Sequence, residues 1–156
     1  MIFVTLGSQK FQFDRLLKKI DELVEAGVIK DKVFAQIGAS TYTPKHYAYT
    51  NFLDREKFAE TMDSCNTVIT HGGTGVIIGA VKKGKKVIAV PRLAQYGEHV
   101  DDHQLQLLHQ FDELGIICAC YDLEQLGACY QTALNTEYRT YQSNTNVIIQ
   151  SIEEYL

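Results

Sequence analysis

The chain has 156 residues, 46% of them hydrophobic and 22% charged, which fits one domain burying a single core. Its net charge of −4 argues against a nucleic-acid partner, and the one basic cluster, Lys82-Lys83-Gly84-Lys85-Lys86, reads as an exposed helix end. No apolar run is long enough to cross a bilayer, the first residues lack the basic flank and cleavage site of a signal peptide, and the four cysteines show no CxxC spacing. Reduced, mostly buried thiols in a cytoplasmic protein are expected.

In chain order, residues 2–6 are an unbroken apolar and β-branched run, which predicts a strand buried on both faces. Gly7-Ser8-Gln9 ends it. Phe13, Leu16, Leu17, Ile20, Leu23 and Val24 then fall on one face of a helix that stops at Gly27. Residues 32–37 predict a second strand closed by Gly38, and a polar loop with Pro44 leads to a short third strand over 47–52. Residues 55–64 predict a helix with Phe58 and Met62 inward, and 67–70 a fourth strand. That strand runs into His71-Gly72-Gly73-Thr74-Gly75, and an apolar helix follows from about Thr74 to Gly84. Residues 87–90 predict a fifth strand ended by Pro91. The loop 92–98 leads into a helix over about 100–114, a sixth strand over 116–120 and a helix over about 123–134. The tyrosine-bearing stretch 135–146 carries weak signals, and Val147, Ile148, Ile152 and Leu156 suggest a last short helix.

Buried strands alternating with helices predict an α/β fold, a Rossmann-like parallel sheet with helices on both faces. Ligands of such sheets bind outside the carboxyl ends of the strands. Three ligand loops are expected to meet there, at Gly7-Ser8-Gln9, at His71 to Gly75, and over 92–104. In the second loop, glycines let the backbone come close to a ligand, and a helix starting near Thr74 aims N–H groups and its positive end into the turn. That suits a phosphate, although a tight strand-to-helix connection with no ligand has the same pattern. Gly7 and Ser8 offer N–H groups and a hydroxyl to the same anion. His71 placed against a diphosphate would donate to a leaving group's growing charge, or else is a satisfied structural histidine. Glu98, Asp101, Asp102, His103 and Gln104 crowd a helix start. Carboxylates there are partly explained by the helix dipole, but with the added amide they suit the vicinal hydroxyls of a sugar.

Two other patterns compete. Gly73-x-Gly75-x-x-x-Gly79 after a strand partly matches a dinucleotide fingerprint, with Arg92 for a 2′-phosphate, but it follows the fourth strand and leaves His71 without a role. His99 and His103 near Asp102 make metal binding conceivable, yet spacing places no further ligand, and no metal or cofactor is expected.

Taken together, these residues resemble the C-terminal, donor-binding half of the family 28 glycosyltransferases. The likeness rests on Phe3-Val4-Thr5-Leu6-Gly7-Ser8, on Ile69-Thr70-His71-Gly72-Gly73-Thr74-Gly75, on Val90-Pro91-Arg92-Leu93 and on Tyr96-Gly97-Glu98-His99-Val100-Asp101-Asp102-His103-Gln104. It is strongest with the short stand-alone form found in two-subunit enzymes. One branch is the cytosolic subunit of the eukaryotic dolichol-linked UDP-GlcNAc transferase. The other is the bacterial capsule and exopolysaccharide transferase subunit, which the last block favours.

The resemblance implies half of a GT-B enzyme, a single domain over 1–156 that binds a UDP-sugar as donor substrate. It implies a membrane-associated partner subunit that supplies the lipid-linked saccharide acceptor and the base, and so a cytoplasmic protein held at the inner face of the membrane. By position, Gly7 and Ser8 face the diphosphate, and His71, Gly72, Gly73, Thr74 and Gly75 form the phosphate turn, with His71 catalytic. The backbone at Phe52 and Leu53 meets the uracil, and Asp102 and Gln104 meet the sugar. The family often has a ribose-contacting glutamate where this chain has Gly79; Glu98 is the substitute considered, and Arg92 completes the expected binding set. A non-catalytic subunit that stabilises its partner is the alternative. Residues 138–156, with Tyr138, Tyr141 and Tyr155 among aliphatics, are the expected docking segment.

Overall fold

The computed structural model describes residues 1–6, 12–71, 74–91 and 103–136. Within them β1 (Ile2–Thr5), β2 (Val33–Gln36), β3 (Ala48–Thr50), β4 (Thr67–Thr70), β5 (Lys86–Ala89) and β6 (Cys118–Ala119) form one sheet. The order is β3-β2-β1-β4-β5-β6, and every neighbouring pair is parallel. Strand order reverses between β1 and β4, which makes their carboxyl ends the switch point where doubly wound sheets open a crevice.

Strand periodicity divides the core in two. Ile2, Val4, Val33, Ala35, Ile69 and Ile88 pack on one face against α1 (Asp14–Glu25) and α5 (Leu126–Leu134). Phe3, Val68, Val87 and Ala89 pack on the other against α2 (Arg55–Ser64), α3 (Thr74–Lys82) and α4 (His103–Glu113). Both sheet faces are thus covered, and this is why the strands read as unbroken apolar runs. Leu16, Leu17 and Ile20 form the buried stripe of α1, and Asp54 caps α2 by accepting from Lys57 N at 2.8 Å. Phe58 is half-buried and meets Phe3 edge-to-face at 5.4 Å. Of the basic cluster, Lys82 and Lys83 are the exposed helix end, while Lys85 and Lys86 are half-buried and Lys86 opens β5. α3 stops before Gly84, whose φ of 73° suits only a residue without Cβ, and Lys83 pairs with Asp63 at 2.5 Å. All four cysteines are free thiols, Cys65 and Cys120 buried and the other two half-buried.

The structure differs from the sequence reading in three places. The helix expected over 123–134 starts as a 3-10 turn at Leu123–Gln125, where Asp122 accepts from Glu124 N, before α5 proper. The sixth strand pairs over two residues only. And β3 is a three-residue edge strand with Ala48 and Tyr49 exposed, so the ladder ends sooner than the apolar pattern over 47–52 suggests.

A parallel connection from β2 to β3 has to cross the sheet, usually by a helix. Here an extended strap, residues 37–47, makes the crossing on the α1 face. Ser40, Thr41 and Thr43 are poor helix formers and Pro44 removes a backbone donor, so a helix is disfavoured there. Gly38 takes a φ of 60° as the strap leaves β2. Acidic residues of α1 hold it. Asp14 Oδ1 accepts from Thr41 N at 2.7 Å and Tyr42 N at 2.9 Å, and its Oδ2 from Thr41 Oγ1 at 2.5 Å. Asp21 Oδ2 accepts from the Tyr42 hydroxyl at 2.6 Å and Lys45 N at 2.8 Å; Oδ1 accepts from His46 N at 2.9 Å and lies 3.2 Å from His46 Nδ1. Tyr47 donates to Leu17 O at 2.9 Å.

Candidate functional site

The site is built on the carboxyl edge of the sheet. Register places Thr5 of β1 beside Gln36 of β2 and Thr70 of β4, and Thr70 beside Ala89 of β5. The strand ends that lead into all three expected ligand loops are therefore adjacent. The loops themselves, 7–11, 72–73 and 92–102, lie outside the described residues. So do Gly7, Ser8, Gly72, Gly73, Arg92, Glu98 and Asp102.

A layer of buried polar groups lies under this edge. Thr70 Oγ1 donates to Thr5 O at 2.7 Å, and Thr5 Oγ1 lies 3.3 Å from Gln36 Oε1. Both threonines are fully buried, and Gln36 and Ser40 nearly so. Ser40 Oγ accepts from Phe13 N at 2.9 Å, tying the start of α1 to the strap. Buried polar groups of this kind are satisfied within the protein, and they stiffen the strand ends that carry the loops. Composition and periodicity did not single out this layer. Its trace in the sequence is a polar residue closing each of three strands, at Thr5, Gln36 and Thr70.

His71 follows β4 directly and is buried, with 4% of its surface exposed. Three residues later Thr74 opens α3, whose N-terminus stands at the carboxyl end of β4, next to β1. Gly75, in its first turn, is exposed, and a Cβ built there would meet no atom within 4 Å. Gly79, one turn on, is equally open. Together with Val76 these glycines face Phe58 and Met62 of α2 across an apolar cavity of about 140 Å³. Gln104 belongs to the first turn of α4, which begins at His103. The helix start expected near residue 100 lies outside the described residues.

Phe52 and Leu53 follow β3 at the same carboxyl edge, two strands from β1, or about 10 Å at ordinary strand spacing. Phe52 is 55% exposed and Leu53 half-buried against the second core. Their approach is held to the start of the strap, since Ile37 N donates to Thr50 O at 2.9 Å and Gly38 N to Asn51 O at 2.8 Å. Electrostatics under the strap favour a charged carboxylate. Burial alone would raise the pKa of Asp21, but its bonds from Tyr42, Lys45 and His46 more than offset this and hold it below the ordinary value. The same bond pushes the Tyr42 hydroxyl up to about 12.

Other open grooves lie elsewhere. One of about 510 Å³ sits at the amino ends of β4 and β5, lined by Asp63, Lys83, Lys85 and Lys86. Among the described residues, no helix is long and apolar enough to cross a membrane.

Comparison with known proteins fits this geometry. Over 132 residues the chain is 26% identical to the UDP-N-acetylglucosamine transferase subunit ALG13 of Homo sapiens, and over 134 residues 27% identical to that of Mus musculus. Each match covers 76% of this chain but only 11% and 10% of the relative, so the chain spans about a tenth of their length. Among solved structures, the NMR solution structure of ALG13 matches with a TM-score of 0.60 at 18% identity, over 99% of this chain and 94% of that one. MurG of Acinetobacter baumannii matches with a TM-score of 0.57 at 15% identity, over 97% of this chain and 49% of that one. The glycotransferase of kitacinnamycin matches at 0.60 and 15% identity, over 98% and 38%. These structures share the fold. A model of the glycosyltransferase family 28 C-terminal domain matches residues 1–155, and the chain belongs to that family.

Proposed function

We propose that this chain is the donor-binding subunit of a two-component, inverting, metal-independent glycosyltransferase. It binds a UDP-sugar, and a membrane-associated partner brings a lipid-linked saccharide acceptor, in bacterial capsule or exopolysaccharide synthesis. The observation that carries the reading is the start of α3 at the switch point, with the exposed Gly75 in its first turn beside the carboxyl end of β1. A diphosphate set there meets the positive end of the helix and its free N–H groups. The relatives named as UDP-N-acetylglucosamine transferase subunits support the choice of nucleotide and the dependence on a second subunit.

In this reading Gly7 and Ser8 hold the diphosphate from β1, and residues 72–75 hold it from β4. Phe52 and Leu53 receive the uracil, and Asp102 and Gln104 the sugar hydroxyls. An acceptor hydroxyl attacks the anomeric carbon from the face opposite UDP, its proton passes to a base on the partner, and the bond to the diphosphate oxygen breaks. His71 donates a hydrogen bond to the charge growing on that leaving group. The chain works in the cytoplasm, held at the inner face of the membrane through its partner, and residues 138–156 dock that partner.

A second reading, a non-catalytic subunit that stabilises the transferase, is favoured by Gly79, which leaves open space where the family often has a ribose-binding carboxylate. Calorimetric titration of the purified chain with UDP separates the two. Micromolar to low-millimolar binding supports the donor subunit; absence of binding, with and without the partner, removes it.

A further inference from the structure

We propose that Asp14 and Asp21 of α1 are positioning residues for the donor site, acting through the strap 37–47 on the segment Asn51–Leu53. The inference rests on the UDP-sugar reading and names residues that reading does not include. The strap has no helix or ladder of its own. Its place is set by seven contacts from two carboxylates, together with the Tyr47 hydroxyl on Leu17 O. Its first end leaves the carboxyl edge of β2, and its last enters parallel β3 from the amino side. At the first end Ile37 N and Gly38 N donate to the carbonyls of Thr50 and Asn51, two residues and one residue before the exposed Phe52, and Asn51 Nδ2 returns to Gly38 O at 3.4 Å. At the same end Ser40 accepts from Phe13 N, next to the loop that follows β1. A shift of the strap therefore moves the base side of the crevice relative to the central strands, while the ladder between β1 and β4 stays in place.

The chemistry of the two aspartates gives an internal control. Asp14 uses one oxygen for two backbone N–H groups and the other for a hydroxyl that can turn. Asparagine keeps the first oxygen and donates its amide to Thr41 Oγ1, so D14N preserves the anchor, whereas D14A removes it.

The test is titration of the full chain, wild type, D14A and D14N, with UDP and with inorganic pyrophosphate, below the unfolding temperature of each. Expected are about tenfold weaker UDP binding by D14A, which is the loss of one ordinary hydrogen bond's worth of free energy at the base side, unchanged pyrophosphate binding, and recovery in D14N. Hydrogen exchange adds a readout that global destabilisation does not mimic: the Ile37 and Gly38 amides exchange faster in D14A while those of β1 do not. Unchanged UDP binding by D14A, or equal losses for both probes, overturns the positioning role and leaves the donor reading standing. A wild-type chain that binds neither probe overturns the donor reading and this inference together.

Discussion

Gly79 lies in the interior of α3, half-exposed, with nothing within 4 Å of where its Cβ would be. Glycine inside a helix costs roughly 0.5–1 kcal/mol against alanine. Gly79→Ala is therefore expected to raise stability by about that amount, read as a higher urea midpoint at unchanged slope. A lower midpoint would mean that the cavity against Phe58 and Met62 closes on this backbone in solution. Gly79→Glu, whose Cβ meets no atom within 4 Å, is expected to tighten UDP binding if a carboxylate at this position serves the ribose; unchanged binding removes that role. His71 is the other residue whose replacement is informative. His71→Ala should cut sugar transfer by the reconstituted pair about a hundredfold, the cost of losing one donor to developing charge. Circular dichroism of the variant checks that the fold survives a change at a buried position, and undiminished turnover at saturating donor removes His71 from the mechanism.

At the scale of elements, the helices and strands were legible because each carries a period. Leu16, Leu17 and Ile20 mark a helical stripe, and Thr67 to Thr70 a strand whose ends match the structure residue for residue. The glycine turn, too, could be placed at a carboxyl strand end from its position after that run. The strap was not legible. Its order comes from carboxylates on α1 lying far from it in sequence, and no local pattern announces that Asp14 and Asp21 point at Thr41, Tyr42, Lys45 and His46 rather than at water. The 3-10 turn before α5 was missed for a similar reason, since Asp122 caps a turn whose composition also suits an α-helix. The strap carries its own prediction. The Asp21 pKa is held below its ordinary 3.8, so its share of stability is complete above that value and is lost as the pH falls through the lower folded value. Below about pH 4 the wild-type urea midpoint should fall. Asp21→Asn is expected to lose about 1–3 kcal/mol at neutral pH, because on either side its amide would face a backbone N–H, of Lys45 or of His46, that can only donate, and to show a flatter acid profile. A variant as acid-sensitive as the wild type would place the titration in another group.

At the scale of the molecule, the chain matches nearly all of one solved relative and about half or less of two others. In the proposed reading, the partner supplies the wall of the crevice that faces the carboxyl edge of this sheet. Truncation after Asn135 tests where the partner docks. A shortened chain that stays folded and binds UDP but no longer co-purifies with the partner supports docking by residues 138–156; one that unfolds assigns that stretch to the core. The sheet order has a further consequence, for how the molecule is made. β1 finds β2 after one helix, but its other neighbour, β4, is 65 residues away, as the bond from Thr70 to Thr5 shows. On a ribosome adding about 5–20 residues per second, roughly 3–13 s pass before the second partner of the central strand exists. Until then one edge of β1 is unpaired, and with every pair among the described strands parallel, the folding of this chain should be slow and dominated by distant contacts. The crevice is then among the last features to form, so refolding followed by nucleotide binding should lag refolding followed by helix content.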